Sequence, residues 1–324
     1  MAQKKTSFFD TLKKWGGGLA IVGVILYALA EFAGIDTNDS HKPKPKPKKD
    51  PVVVNPKTTT TTKDEPNLPT DGKLKNYLPK DTGLPIIKHS YFTLGYSEKD
   101  EQASWVAYEL DKKRLLKGGV ERTDNFRPDP NVSTGSSSPS DYSASGYDRG
   151  HLCPAGDMAF NENAMSETFF MSNMSPQIPA CNRGIWKELE EQVRDWTKIN
   201  GHLYVVTGPV LALRSLKKIG KQNKINVPKM YYKVLLDYSE TNPKAIGFLV
   251  PNAASNEPLE NFAKTVDEVE SLTGLDFFPD LPNNIENKLE SSYDIKKWAT
   301  DKKRYQTRLQ WTNNARMGSS LQTE

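Results

Sequence analysis

The sequence predicts one α+β domain carried behind a long non-globular leader. Two observations predict it. From about Ile86 onward, short runs rich in β-branched and aromatic residues recur between polar turns, which is how strands read. Two longer segments, one opening at Asn182 and one from Phe262 to Leu272, carry apolar residues at helical spacing. At 324 residues the chain is long enough for one large domain plus appendages.

Taken in order, Tyr91 to Leu94 and Ser104 to Leu110 read as strands bounded by polar turns. Residues 128–146 hold Pro128, Pro130, Pro139 and a Ser/Gly cluster, so they read as a long loop and a candidate substrate surface. Phe169 to Ser172 is a short apolar run with the look of a strand. Asn182 opens a helix in which Ile185, Leu189, Val193 and Trp196 form one buried stripe. His202 to Gly208, Met230 to Asp237 and Ala245 to Val250 are further strands, and Phe262 to Leu272 is an amphipathic helix. The globular domain is set at residues 81–312, with 313–324 as a disordered tail. No internal repeat is visible.

The leader has three parts. Residues 1–15 carry Lys4, Lys5, Lys13 and Lys14 and no arginine; residues 16–35 are mostly apolar, broken by Glu31. A basic flank before an apolar stretch is the pattern of an export signal. Ala28-Leu29-Ala30 fits a cleavage site that would release the protein; retained, the stretch is a marginal membrane anchor for a span of about 20 residues. A tether follows, which favours the anchor; the expected location is outside the cytoplasm, periplasmic or on the cell surface, and a mitochondrial presequence fits less well because residues 1–15 lack arginine and include Asp10. In residues 36–80, alternating lysine and proline from Lys42 to Lys49 cannot continue a helix. Fully extended, such a linker reaches roughly 140 Å.

The formal charge of +4 divides unevenly. Residues 1–80 hold 14 lysines and 8 acidic residues, a net of +6, and the remaining 244 residues hold 30 basic and 32 acidic residues, a net of −2. A sequence-specific DNA reader usually has a basic domain; this domain is not basic, so any nucleic-acid contact would have to come from a local patch, with a bound metal ion adding charge. Two cysteines, Cys153 and Cys181, exclude a disulfide-rich scaffold and a four-cysteine zinc site. If His151 and Asn182 meet, the cysteines are near one another too. A disulfide, a free buried pair, or a zinc site shared with His151 are the three readings left open.

The most informative stretch is Tyr147-Asp148-Arg149-Gly150-His151. It is followed by Asn173 within Met171 to Gln177, and by Asn182 through Glu190. With Trp105 to Tyr108 upstream, and with Val206-Thr207-Gly208-Pro209, Val227-Pro228, Tyr232-Lys233-Val234 and Thr265 to Leu275 downstream, this ordered set resembles the DNA/RNA non-specific endonucleases, the ββα-metal nucleases related to endonuclease G. The resemblance runs from about Tyr91 to about Pro282. It implies a ββα-metal fold with a central, mostly antiparallel sheet flanked by helices. It implies sugar-non-specific, largely sequence-independent hydrolysis of DNA and RNA with one Mg²⁺-type ion (Mn²⁺ in its place) and 5′-phosphate products. A homodimer and an inhibitor protein are further partners to test. One departure stands out. Family members often carry an upstream arginine that stabilises the transition state; by the register of Asn125-Phe126 its place is taken by Asp124, with Arg122 the nearest substitute.

Residue chemistry fits that kit. An imidazole titrating near about pH 6.5 can take a proton from water at neutral pH, which makes His151 the candidate base. His89 and His202 lack such a context and read as structural. Asn182 offers a neutral oxygen ligand suited to a hard cation; the bland reading is a helix N-cap. Glu190, eight residues on, lies roughly 80° around the helix axis from Asn182 and could hold the same ion through water. The bland reading of Glu190 is a solvated helix face beside Glu188 and Glu191. Arg149 suits a phosphate contact, against the alternative of an ion pair with Asp148. Asn173 orients water, histidine or phosphate, or else steadies the turn before Ser175-Pro176. Gly150 permits close backbone approach. Two competing readings of the whole chain remain: a membrane-tethered binding protein with an inactive nuclease fold, motivated by Asp124, and a nuclease toxin, for which no delivery domain is visible.

Overall fold

The computed structural model describes residues 74, 76–80, 83–212, 217–239 and 242–320, and side chains as far as residue 313. These residues fall within one compact unit, Asp64–Glu324. The basic flank, the apolar stretch 16–35 and the linker as far as residue 73 lie outside the described residues. Among the described residues, no helix is long and apolar enough to cross a membrane.

The elements run β1 (Ile86–Lys88), β2 (Phe92–Ser97), β3 (Gln102–Asp111), α1 (Lys112–Lys117), α2 (Pro139–Tyr142), β4 (Asp148–His151), α3 (Glu162–Glu167) and β5 (Met174–Gln177). A π-helical turn (Cys181–Trp186) leads into α4 (Lys187–Asn200). Then come β6 (His202–Pro209), β7 (Lys217–Ile219), β8 (Ile225–Val227), β9 (Met230–Asp237), β10 (Lys244–Pro251), β11 (Ala263–Lys264), α5 (Val266–Thr273), α6 (Asn283–Glu290) and α7 (Lys302–Ser320). Seven strands form the main sheet in the order β1-β2-β3-β6-β9-β10-β11, and every neighbouring pair is antiparallel.

Alternation along the strands assigns the two faces of the sheet. Val106 and Tyr108, Leu203 and Val205, Tyr231 and Leu235, Ile246 and Phe248 join Ile185, Leu189, Val193 and Trp196 in one core. This is the apolar stripe of α4 laid on the sheet. On the opposite face, a side chain at Gly247 would run into Val269 of α5, and Tyr232 meets Phe277. The same face receives the start of the described chain: the Leu74 N–H donates to the Tyr204 hydroxyl at 2.8 Å, and the Tyr77 ring lies 4.9 Å from that of Tyr204. Residues 74 and 76–80 therefore pack on the domain, although composition had assigned them to the linker.

The structure departs from expectation at four further places. Phe169 to Ser172 is not a strand: Met171–Asn173 is a 3₁₀ turn, and the strand is the next segment, β5. The run is held by an isolated bridge to Arg127 instead: the Arg127 N–H donates to the Phe169 carbonyl, and the Arg127 carbonyl accepts the Met171 N–H. Within 128–146, Ser138 and Asp141 form a capping box that winds residues 139–142 into one helical turn. Phe262 ends a 3₁₀ turn, and the helix that follows starts only at Val266, where Thr265 and Glu268 cap each other. Finally, helix continues to Ser320, past the boundary set at residue 312. Its anchors are charged rather than apolar, so a hydrophobic reading does not see them.

Candidate active site

Strands β4 and β5 form a separate antiparallel hairpin, pairing Asp148 with Gln177, Arg149 with Pro176, Gly150 with Ser175 and His151 with Met174. Polar contacts tie it to the main sheet. The Ser175 hydroxyl donates to Gln102 Oε1 at 2.6 Å and lies 2.8 Å from the Tyr231 hydroxyl. Asn252 donates to the Pro176 and Pro228 carbonyls and accepts the Ile178 N–H. The Ile178 carbonyl then accepts the N–H groups of Cys181 and Asn182, starting the π-helical turn. Gly184 sits in that turn at φ −107°, ψ −110°, and α4 follows. Two strands and a helix thus converge on one cleft. It has a volume of about 830 Å³ and is lined by Arg122, Arg149, His151, Asn182 and Glu190 among others.

His151 is only 9% exposed, and its Nε2 atom is buried without a hydrogen-bond partner. Its ring stands edge-on to Phe169 at 5.0 Å. Burial, followed by the Arg122 and Arg149 guanidiniums, pushes its pKa down to about 3, so the imidazole is neutral. Both arginines lie over the aromatic rings beside it: Arg149 is 4.1 Å from the Phe126 centroid and Arg122 is 4.9 Å from that of Phe169. Arg122 also meets Asp124 at 2.7 Å, with side chains 51% and 61% exposed. At that exposure the pair is weak and leaves the guanidinium available to a phosphate. Arg149 does not pair with Asp148.

Asp148 instead takes a bidentate grip from Arg183 at 2.7 and 2.9 Å. Its Oδ2 also accepts the Asn182 side-chain N–H at 2.9 Å. This fixes which way the Asn182 amide points and leaves its oxygen as the available acceptor. Asn182 lies inside the π-helical turn and makes no capping bond, so the N-cap reading does not hold.

Glu190 stands over charged groups that the sequence reading missed. Burial raises its pKa to about 7, opposed first by Lys233 and then by Arg194. Lys233 is fully buried on β9, its Nζ 4.9 Å from the Trp186 ring centroid and without a hydrogen-bond partner. Arg194 meets Asp157 at 2.8 Å, and Asp157 also accepts the Tyr108 hydroxyl. Two signals could have found this group: a lysine inside an otherwise apolar strand, and Arg194 at i+4 from Glu190 on one helix face.

Several expected residues lie elsewhere. Asn173 does not line the cleft. Its oxygen accepts the Cys153 N–H, and its nitrogen donates to the Cys153 and Thr168 carbonyls at 2.9 and 2.8 Å. It therefore holds the backbone two residues beyond His151. The 128–146 loop does not line the cleft either, and its acids are engaged away from it: Asp129 accepts from His89 and Ser172, and Asp141 from Ser138 and Asn223. Glu188 is buried and Glu191 half-buried, and both pair with arginines of α7. Cys153 and Cys181 are free and buried, and burial pushes the Cys181 thiol up to about 12. Among the described residues, the one metal-competent cluster of His, Cys, Asp or Glu is Asp267, Glu270 and Glu290, so the two cysteines and His151 do not form a zinc site.

Asn182 brings a neutral amide oxygen, Glu190 a half-buried carboxylate and His151 an unpartnered imidazole to the cleft. Oxygen donors in this number suit a hard divalent cation that keeps most of its waters.

Residues 72–284 match the model of the DNA/RNA non-specific endonucleases. A nuclease of Nostoc sp. is 35% identical over 255 residues, covering 75% of this chain and 85% of that protein. Nuclease C1 of Cunninghamella echinulata var. echinulata is 39% identical over 215 residues, covering 62% and 85% respectively. Mitochondrial endonuclease G of Homo sapiens is 34% identical over 225 residues, covering 65% and 74%. Endonuclease G solved in its complex with the inhibitor EndoGI superposes with a TM-score of 0.57 at 31% identity, covering 61% of this chain and 87% of that one.

Proposed function

The chain belongs to the DNA/RNA non-specific endonuclease family, and we propose that it hydrolyses both polymers with His151 as base and with Asn182 and Glu190 holding one Mg²⁺-type cation. One observation carries this reading: the buried, partnerless Nε2 of a neutral His151 shares a cleft with two arginines, an oriented amide and the half-buried Glu190 carboxylate. The cation, Mg²⁺ or Mn²⁺, supplies positive charge at the scissile phosphate and the leaving oxygen when bound.

The protein's own groups do the rest. Arg149 and Arg122 draw the phosphate to the cleft and stabilise its developing negative charge. His151 Nε2 takes the proton of the attacking water, whose oxygen bonds to phosphorus as the bond to the 3′ oxygen breaks. The products carry 5′-phosphate and 3′-hydroxyl ends. Asp148 and Asn173 position the Asn182 amide and the His151 backbone. The cleft side chains so placed address phosphate rather than base edges, which supports largely sequence-independent, salt-sensitive cleavage.

The test compares the full chain with His151→Ala on supercoiled plasmid and on RNA, with Mg²⁺, with Mn²⁺ and with chelator, followed by end-labelling of the products. Metal-dependent cleavage leaving 5′-phosphates, lost in the variant, is the expected result. A well-folded parent that binds nucleic acid without cutting it under any metal would replace this reading with the binding protein of inactive nuclease fold.

The basic flank and the apolar stretch 16–35 support a domain anchored outside the cytoplasm, and protease accessibility in intact cells tests it. The match to an inhibitor-bound endonuclease G supports an inhibitor protein as a partner here also. Sedimentation of the purified chain tests the homodimer.

A further inference from the structure

Helix α7 lies beyond the residues matched by the family, 72–284, yet it forms one wall of the cleft. Two adjoining stripes of α7 have different duties. Arg304 and Arg308, one turn apart, clamp the helix to α4. Arg304 meets Glu191 at 2.5 Å and Asp195 at 2.6 Å, and Arg308 meets Glu188 at 2.5 Å. The Arg308 guanidinium also donates to the Ser255 and Glu257 carbonyls. Lys303, Thr307 and Trp311, at spacing i, i+4 and i+8, line the cleft beside these two arginines and are not engaged by the carboxylates of α4.

Trp311 is only half-buried, and its ring lies against the turn that carries Asn182: a side chain at Gly184 would meet its Cζ3 atom at 3.6 Å. Lys303 is exposed and forms no ion pair among the described residues. An accessible indole plane with a free ammonium beside a phosphodiester site has the chemistry of a single-strand subsite, in which bases stack on aromatic rings and cations follow the backbone.

Resting on the nuclease reading above, we propose that α7 builds a base-stacking subsite, in which Trp311 receives one unstacked nucleobase of the substrate strand and Lys303 a neighbouring phosphate. A duplex has to unstack a base to use it. Single strands and frayed ends are therefore preferred over intact duplex, and the preference resides in α7 rather than in the catalytic group.

The experiment measures KM and kcat of the full chain, Trp311→Ala and Trp311→Phe on short single-stranded oligonucleotides, with one abasic residue stepped along the strand. Trp311→Ala raises KM about tenfold on the intact strand, and Trp311→Phe stays close to the parent. At one position the abasic residue raises the parent's KM by the same factor and leaves that of Trp311→Ala unchanged. Two results overturn the subsite: an unchanged KM in Trp311→Ala, or a fall in kcat equal on intact and abasic strands, which marks a merely structural tryptophan. If the parent does not cut, the nuclease reading has failed. Equilibrium binding of the same oligonucleotides to parent and Trp311→Ala then decides the subsite by the same comparison.

Discussion

Arg308 of α7 and Glu188 of α4 form an ion pair at 2.5 Å in which both side chains are almost fully buried, at 3% and 4% exposure. Removing the guanidinium leaves a carboxyl in low dielectric whose pKa burial already raises and Arg308 lowers. It also leaves the Ser255 and Glu257 carbonyls without their donor. Breaking one side of a buried pair costs about 3–5 kcal/mol. Arg308→Ala is therefore expected to lose stability in that range in urea, while a double replacement of Arg308 and Glu188 by methionine recovers most of it. A loss below about 1 kcal/mol would mean that the clamp is solvated and α7 loosely held.

Burial, then Glu270, Glu286, Asp267 and Asp276, push the Glu290 pKa up to about 8. The folded protein thus binds this proton more tightly than the unfolded chain does, where the usual value is near 4.5. The stabilisation is fully present below that value and is lost as pH rises through about 8. Glu290→Gln, which cannot ionise, is expected to melt at a higher temperature than the parent at pH 9, with the gap closing toward pH 5. A gap of equal size at both ends would assign the effect to packing.

Lys233 is a poor residue for stability and a good one for Glu190. Its ammonium is buried without a hydrogen bond, and burial lowers its pKa. Lys233→Met removes an expensive buried charge and fills similar volume. The variant is expected to melt at or above the parent temperature. Activity falls on the order of tenfold or more, because Glu190 loses the cation that keeps it ionised. An active, destabilised variant would reverse the assignment and make Lys233 a structural group.

Legibility followed the range of the interactions. Strands β6, β9 and β10 were visible within a residue at either end, because alternation and β-branched content are local properties. So was the stripe of Ile185, Leu189, Val193 and Trp196. The cleft residues Arg149, His151, Asn182 and Glu190 were legible because their ordered spacing resembles a family. What escaped depends on partners distant in sequence. Asn173 looks like a polar residue free to act until the Cys153 backbone is placed beside it. Glu188 and Glu191 look solvated until Arg304 and Arg308 arrive from more than a hundred residues away. Phe169 to Ser172 is as apolar as a strand, and only its contacts with Arg127 distinguish it.

Gly150 illustrates a constraint that local sequence states without its cause. A Cβ at this position would fall onto the Gln177 side chain, which is fully buried on the neighbouring strand. Alanine at 150 therefore forces Gln177 or the hairpin to move, and His151 is the next residue on β4. A misplacement of about 1 Å at a reacting group costs roughly a hundredfold in rate. Gly150→Ala is expected to lose activity on that scale while the main sheet stays folded, since the hairpin is a separate two-stranded unit. Gln177→Ala alone removes a side chain whose amide atoms have no partners, so its effect on rate is small. The double variant makes room for the new methyl group and recovers most of the lost rate. Additive losses in the double variant would show that glycine is needed at 150 for some reason other than the close approach of these two strands.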